Sequence, residues 1–252
     1  MKKLSSDNPF YEFSKIEKKI DLNKYDNKIT TFYVAQGLIE IELGSKKLEI
    51  KSNEGLLISS KCKIKSIIIK KDTLAFDIIS NKKKEDLIFF KDQGDKIDEE
   101  KVDLYKTLAN HKKVVKPWGY ELWIVWLKDY HVLKKIHMKK GFKCSLQFHE
   151  KKYETNYLVS GKAKILKNFH INKKSTSQEA KELIKNRDLL KDYSKNVDSP
   201  FSFTNIPGEI HRVYSLEDYT AYEVSTPELD DVIRIQDDSS RSSGRIISEH
   251  KN

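Results

Sequence analysis

The chain has 252 residues, with 48 Lys and Arg against 38 Asp and Glu, a formal net charge of +10, 38% hydrophobic and 34% charged residues. That length allows one large domain or two small ones with a substantial core, and recurrent aromatic and β-branched residues exclude a disordered chain. No apolar run approaches the ~20 residues of a membrane span, and the opening MKKLSSDNPFYEF has no apolar h-region, so neither membrane insertion nor secretion is expected.

Residues 1 to about 27 are polar and mixed, an irregular lead-in with a short helix expected near Phe13 to Ile20. From Ile29 to Ser80 about six short β-rich runs are separated by Gly, Asn and Ser, with alternation in LIEIEL and CKIKSIII, as in an antiparallel barrel or sandwich. The first 110 residues hold no histidine, so this unit has no histidine metal site. Residues 83–112 are charged and lose the alternation, which predicts a helical linker broken near Gly94. Strand character returns at Lys113 and continues through KPWGYELWIVWL, CSLQFH, TNYLVSGKAKIL, HRVYSL, TAYEVST and DVIRIQ. Within this series, 167–199 contains SQEAKELIKNRDLLKDYSKN, whose helical spacing predicts an inserted surface helix. The Ser-rich residues 239–252 are expected to form a flexible tail. YVAQGLIEIEL in the first half and YLVSGKAKIL in the second share a frame, which suggests two copies of one β fold. The domain plan is therefore 1–82, a linker at 83–112, 113–238 and the tail.

Cys62 and Cys144 are far apart and form no metal-type pair, which fits reduced thiols in a cytoplasmic protein. Only five of the basic residues are Arg, and the lysines are scattered without aromatic interleaving, so no nucleic-acid partner is expected. Four of the five arginines fall between 212 and 245, where a planar fork suits phosphate or carboxylate recognition.

The stretch Gly141 to Gly161, GFKCSLQFHEKKYETNYLVSG, concentrates the chemistry. Gln147 and His149 share one face of a strand, and Glu154 returns from the next, giving three convergent donors of a kind divalent metals accept. Glu223 stands in the apolar run AYEVS, where a carboxylate needs either an arginine partner or a role facing a cavity. Arg234 alternates in VIRIQ and would project into a barrel, and Lys152 lies between two of the donors. His111, His131, His137, His170 and His250 lie outside this frame and read as surface or core residues, and Asp230, Asp231, Asp237 and Asp238 as loop and turn acids.

The spacing of Gly141, Gln147, His149, Glu154 and Gly161, followed by IPGEIHRV at 206–213, resembles the cupin superfamily, and most closely the cupin-type (type II) mannose-6-phosphate isomerases. The resemblance extends to Lys116-Pro-Trp-Gly119-Tyr-Glu121, to Glu223-Val224 and to Asp230 through Arg241, covering about residues 113 to 241. The chain departs from that pattern at Lys152 and Ser239-Ser240-Arg241 and in the 167–199 insertion. The resemblance implies an all-β bicupin: a degenerate N-terminal barrel that packs on the second or supports a homodimer, and a C-terminal barrel binding one divalent metal through Gln147, His149, Glu154 and His211. Zn is the expected ion, with Mn, Fe, Co and Ni as alternatives. It also implies aldose–ketose isomerisation of a sugar phosphate, with Glu223 or Lys152 moving protons and Arg234 offsetting negative charge. The other readings are a metal-cupin epimerase or Fe(II) oxygenase acting on sugars, and a non-catalytic sugar-binding cupin.

Overall fold

Alternation of apolar and polar residues places alternate side chains on opposite faces of a strand, and this pattern builds most of the chain into antiparallel sheets. The computed structural model describes residues 2–5, 8–81, 89–91, 95–97, 105–128, 130–170, 185 and 194–247. Two units result: Met1–His111 with Ile124–Val132, and Lys112–Trp123 with Leu133–Asn252.

The first unit contains β1 (Lys2–Lys3), β2 (Tyr11–Lys15), β3 (Thr30–Gln36), β4 (Leu38–Leu43), β5 (Lys46–Lys51), β6 (Glu54–Ile58), β7 (Ile64–Ile69), β8 (Leu74–Ser80), β9 (Phe89–Lys91), β10 (Asp95–Ile97) and β11 (Tyr105–Leu108). One sheet runs β1-β2-β8-β3-β6-β11 and another β5-β4-β7. In β4 the alternation is clean: Ile39, Ile41 and Leu43 are buried beside Phe32, Val34 and Leu56, while Glu40 and Glu42 face outward. The six strands expected between Ile29 and Ser80 are β3 to β8.

Two local expectations are corrected here. The stretch from Phe13 was expected to be helical, but Tyr11–Lys15 pairs with β8 and buries Tyr11 and Phe13 completely; a helical turn follows at Leu22–Tyr25. The linker was also expected to be helical. Its described parts are strands: β9 pairs with β10, and β11 pairs with β6, adding an edge strand to the first unit. An exposed sheet edge supplies backbone partners that no local periodicity records.

The second unit contains β12 (Lys112–Lys116), β13 (Gly119–Trp126), β14 (Val132–Met138), β15 (Leu146–Phe148), β16 (Glu154–Ser160), β17 (Lys162–His170), β18 (Ser194–Asp198), β19 (Phe201–Asn205), β20 (Glu209–Ser215), β21 (Tyr219–Ser225) and β22 (Ile233–Gln236). They form one sheet in the order β12-β13-β14-β21-β16-β19 and a second in the order β18-β17-β20-β15-β22. Trp118, Ile136, Met138, Leu158, Phe203 and Tyr219 pack as an apolar cluster, and Leu146, Phe148, Ile210 and Ile235 form a smaller one. The inserted helix expected within 167–199 lies outside the described residues, apart from Ser194–Asn196, which belongs to β18. The described part of the expected flexible tail is tied back to the domain. Arg241 is bridged to Asp237 at 2.7 Å, and the Gly244 amide donates to Val232. No helix among the described residues is long and apolar enough to cross a membrane.

Candidate metal centre

Gln147 in β15 stands directly opposite His211 in β20, so both side chains leave the sheet on one face. His149 follows β15 by one residue, and Glu154 opens β16. His149, Glu154 and His211 are 1%, 4% and 3% exposed, and their ligating atoms all lie within 4.8 Å of one another. Glu154 Oε2 is 3.3 Å from His149 Nε2, Glu154 Oε1 is 3.2 Å from His211 Nε2, and the Gln147 amide nitrogen is 3.4 Å from His211 Nε2.

Both imidazoles are oriented from behind. His149 Nδ1 donates to the Asp231 carbonyl, and His211 Nδ1 donates to the Glu209 carbonyl at 3.0 Å. A carbonyl only accepts, so each Nδ1 bears the proton, and in the neutral ring each Nε2 presents a lone pair to Glu154. Burial, reinforced by the Lys152 charge, pushes the His149 pKa down and keeps that ring neutral. The loop between the donors is held by Asp231, whose carboxylate accepts from the amides of Glu150, Lys151 and Lys152 at 3.0, 2.7 and 2.9 Å. Asn205 donates to Glu154 Oε1 at 2.8 Å and fixes the carboxylate.

This donor set fits a divalent cation. Metal–ligand bonds of about 2.1 Å at tetrahedral or octahedral angles separate neighbouring donors by roughly 3.0–3.4 Å, which is the separation of Glu154 from each imidazole, 3.3 and 3.2 Å. Lone pairs on two nitrogens facing a carboxylate repel unless a cation or proton stands between them. Buried His149 Nε2 makes no hydrogen bond among the described residues. The backbone carbonyls behind each ring are the partners that metal-ligating histidines usually have. Gln147 accepts from Ser145 Oγ at 2.6 Å through its Oε1, and exchanging the amide's O and N would present oxygen to the cluster.

A chain of buried charges leads away from Glu154. Lys152 Nζ lies 2.6 Å from Glu154 and 3.2 Å from Glu223, and Lys134 Nζ is 3.9 Å from Glu223 and 3.4 Å from Glu121. Lys116 Nζ is 3.5 Å from Glu121, and Trp123 Nε1 donates to Glu121 at 2.8 Å. Burial works to raise the Glu154 carboxyl, but the Lys152 ammonium outweighs it and the carboxyl is held well below the usual range. Burial likewise opposes the Lys152 charge, and Glu154 and Glu223 more than restore it, so the ammonium persists. At Glu121, Lys134 and Lys116 overcome burial and hold the carboxyl at about 2. All these side chains line one cavity together with Trp118, Asn156, Tyr219 and Arg234.

Of the residues singled out in the sequence, Gln147, Lys152, Glu154, His211, Glu223 and Arg234 line this cavity, and His149 adjoins it 3.3 Å from Glu154. The partners of Glu223 are lysines, not the arginine expected for a buried acid. Arg234 lines the cavity, and its guanidinium donates to the Ser242 and Gly244 carbonyls. Arg212 donates to Cys144 O and Gln236 and supports the sheet. Asp231, read as a loop acid, is the anchor of the ligand loop. Lys134, Glu121, Asn156 and Asn205 escaped sequence reasoning; the one signal was the alternation of polar residues in otherwise apolar strands.

Residues 103–188 match the family model described as mannose-6-phosphate isomerase C-terminal. Among solved structures, a Lactobacillus farciminis oxalate decarboxylase superimposes with a TM-score of 0.58 at 10% identity, covering 90% of this chain and 80% of its own. AerE from Microcystis aeruginosa gives 0.53 at 9% identity, covering 88% and 94%. The Bacillus subtilis oxalate decarboxylase, a protein with Mn(II) centres, gives 0.54 at 9% identity, covering 86% and 68%. The chain has the bicupin fold. Within it, residues 103–188 are similar to the C-terminal region of mannose-6-phosphate isomerases. No curated protein matches the sequence. The cupin likeness to solved structures is one of fold, at identities of about a tenth.

Proposed function

We propose that this bicupin is a metal-dependent isomerase interconverting the aldose and ketose forms of a phosphorylated sugar, with mannose 6-phosphate and fructose 6-phosphate as the first pair to test. One observation carries the reading: Glu223 shares the cavity of the His149–Glu154–His211 cluster and is joined to it by Lys152, 2.6 Å from Glu154 and 3.2 Å from Glu223. The family-model match at 103–188 supports the substrate class.

Gln147, His149, Glu154 and His211 would hold the ion; two imidazoles with oxygen donors suit Zn, and Mn is the alternative favoured by the decarboxylase neighbour. A divalent ion there supplies Lewis acidity toward the C1 and C2 oxygens. Glu223 is the base, taking the C2 proton and returning it to C1 while the hydroxyl proton passes from O2 to O1. Lys152, kept charged by its two carboxylates, cannot share that duty. Its role is to position Glu223 and Glu154 and to offset negative charge on the enediolate oxygens. Arg234 contributes positive potential on the opposite sheet, where β22 lies beside Gln147.

The test is elemental analysis of the purified protein followed by equilibration of mannose 6-phosphate under argon. One metal per chain and oxygen-independent formation of fructose 6-phosphate are expected. Oxygen consumption coupled to substrate loss, or no turnover across a panel of sugar phosphates by metal-replete protein, would overturn the isomerase reading.

A further inference from the structure

Beyond Glu223 the cavity wall carries polar groups that the metal cluster does not use. Lys134 in β14 is 7% exposed. Its ammonium lies 3.4 Å from Glu121, 3.9 Å from Glu223 and 5.2 Å above the Trp123 ring, and among the described residues it makes ion pairs but no hydrogen bond. Asn156 is 4% exposed, lines the cavity two residues after Glu154, and stands opposite Glu223 in the β16–β21 register. Its side-chain amide has no hydrogen bond among the described residues. An ammonium offers three donors and an amide two donors and an acceptor, so both groups present hydrogen-bonding capacity to the cavity they line. Both groups sit on strand interiors, so they are held in place, aimed into the cavity.

We infer that Lys134 and Asn156, together with Glu121, form a subsite for the hydroxyl groups of an open polyhydroxylated chain. A hydroxyl accepts from an ammonium or amide and donates to a carboxylate at the same time, which matches a wall where Lys116, Glu121, Lys134 and Glu223 alternate in charge. A small dicarboxylate has acceptors only and would face Glu121 and Glu223 with like charge, so this wall selects against it. The indole of Trp123 beside Lys134 gives the carbon side of such a chain an apolar face. The inference rests on the isomerase reading for its substrate class, but it concerns binding and stands or falls without turnover.

The test is calorimetric titration of metal-replete protein with sorbitol 6-phosphate, which cannot isomerise, and with inorganic phosphate and oxalate. The wild type is expected to bind sorbitol 6-phosphate at least ~10-fold more tightly than either small anion. Asn156→Ala and Lys134→Met are each expected to weaken sorbitol 6-phosphate about 10-fold while leaving phosphate and oxalate within about twofold. Should Lys134→Met fail to fold, Asn156→Ala decides alone. Tighter binding of oxalate, unchanged sorbitol 6-phosphate affinity in a folded variant, or an equal loss for phosphate would overturn the subsite. A catalytically silent protein that shows the expected binding pattern would overturn only the isomerase reading.

Discussion

The two units repeat one strand register and fill it differently. Thr30 of β3 faces Ile79 and Ile58, and Glu154 of β16 faces Ser225 and Asn205; Phe32 faces Asp77, and Asn156 faces Glu223. Both β3–β8 and β16–β21 are then irregular at the same step, Val34/Gln36 and Leu158/Ser160. The inward acid survives in both, as Asp77 and Glu223. Around Asp77 the remaining positions are Thr30, Phe32 and Ile58, without an ionisable group. Tyr25, from the 3-10 turn, packs 5.1 Å from the Phe32 ring and donates to Asp77 at 2.6 Å, while Lys24 pairs with the same oxygen at 2.6 Å. Around Glu223 the corresponding positions are Glu154, Asn156 and Asn205, and lysines supply the charge. One backbone thus becomes a packed core or a polar cavity, depending on whether a few inward positions carry hydrocarbon or donors. A buried carboxylate is tolerated in either, provided that a cation is attached to it.

The largest expected effects separate the units by metal. His211→Ala should weaken metal binding at least ~100-fold by equilibrium dialysis, since it removes one of the few donors, while Thr30→Ala at the position equivalent to Glu154 should leave it unchanged. Next come the paired acids. Glu223→Gln should lower kcat for mannose 6-phosphate by about 10²–10⁴, whereas Asp77→Asn should keep kcat within about twofold and lower Tm. Equal losses of kcat would end the functional contrast between the two barrels.

Acid should act on the units through different buried groups. In the first unit His131 Nε2 is 2.8 Å from Thr31 Oγ1 and Nδ1 is 2.7 Å from Ser80 Oγ, and burial pushes its pKa down to about 3. Its folded value is lower than its unfolded one, so the unfolded chain binds more protons between about 6.5 and 3. The stability it contributes is present above that range and lost as pH falls through it, a few kcal/mol in all. In the second unit Glu121, held at about 2, gives stability that is present above its ordinary 4.5 and is lost as pH falls toward 2. Amide exchange followed from pH 7 to 3 should therefore show loosening around His131, and His131→Gln should remove it.

The smallest effects concern the shared turn. Gly37 and Gly161 follow the two equivalent strands with φ of +90° and +92°, and an added Cβ would stand 2.4 Å from Thr73 Oγ1 and 2.0 Å from the Asp218 carbonyl oxygen. Alanine at either should cost about 2 kcal/mol or more in urea unfolding, and a marked inequality would show that the turns are not equivalent.

By itself the sequence determined the β class, the six strands between Ile29 and Ser80, the duplication echoed in YVAQG and YLVSG, and the convergence of Gln147, His149 and Glu154. All of these rest on period-2 alternation and short spacings, which act locally. The tertiary structure alone decided that 105–108 is an edge strand and not part of a helix, because its pairing partner is Gly55–Ile58, about fifty residues away. It also decided that Glu223 is paired by Lys134 and Lys152, and that Asp231 anchors the loop carrying His149. Lys134 and Asn156 read as ordinary polar residues until three strands, β14, β16 and β21, bring them together with Glu223. A strand records which face a side chain takes, and only the closed pair of sheets determines what shares that face.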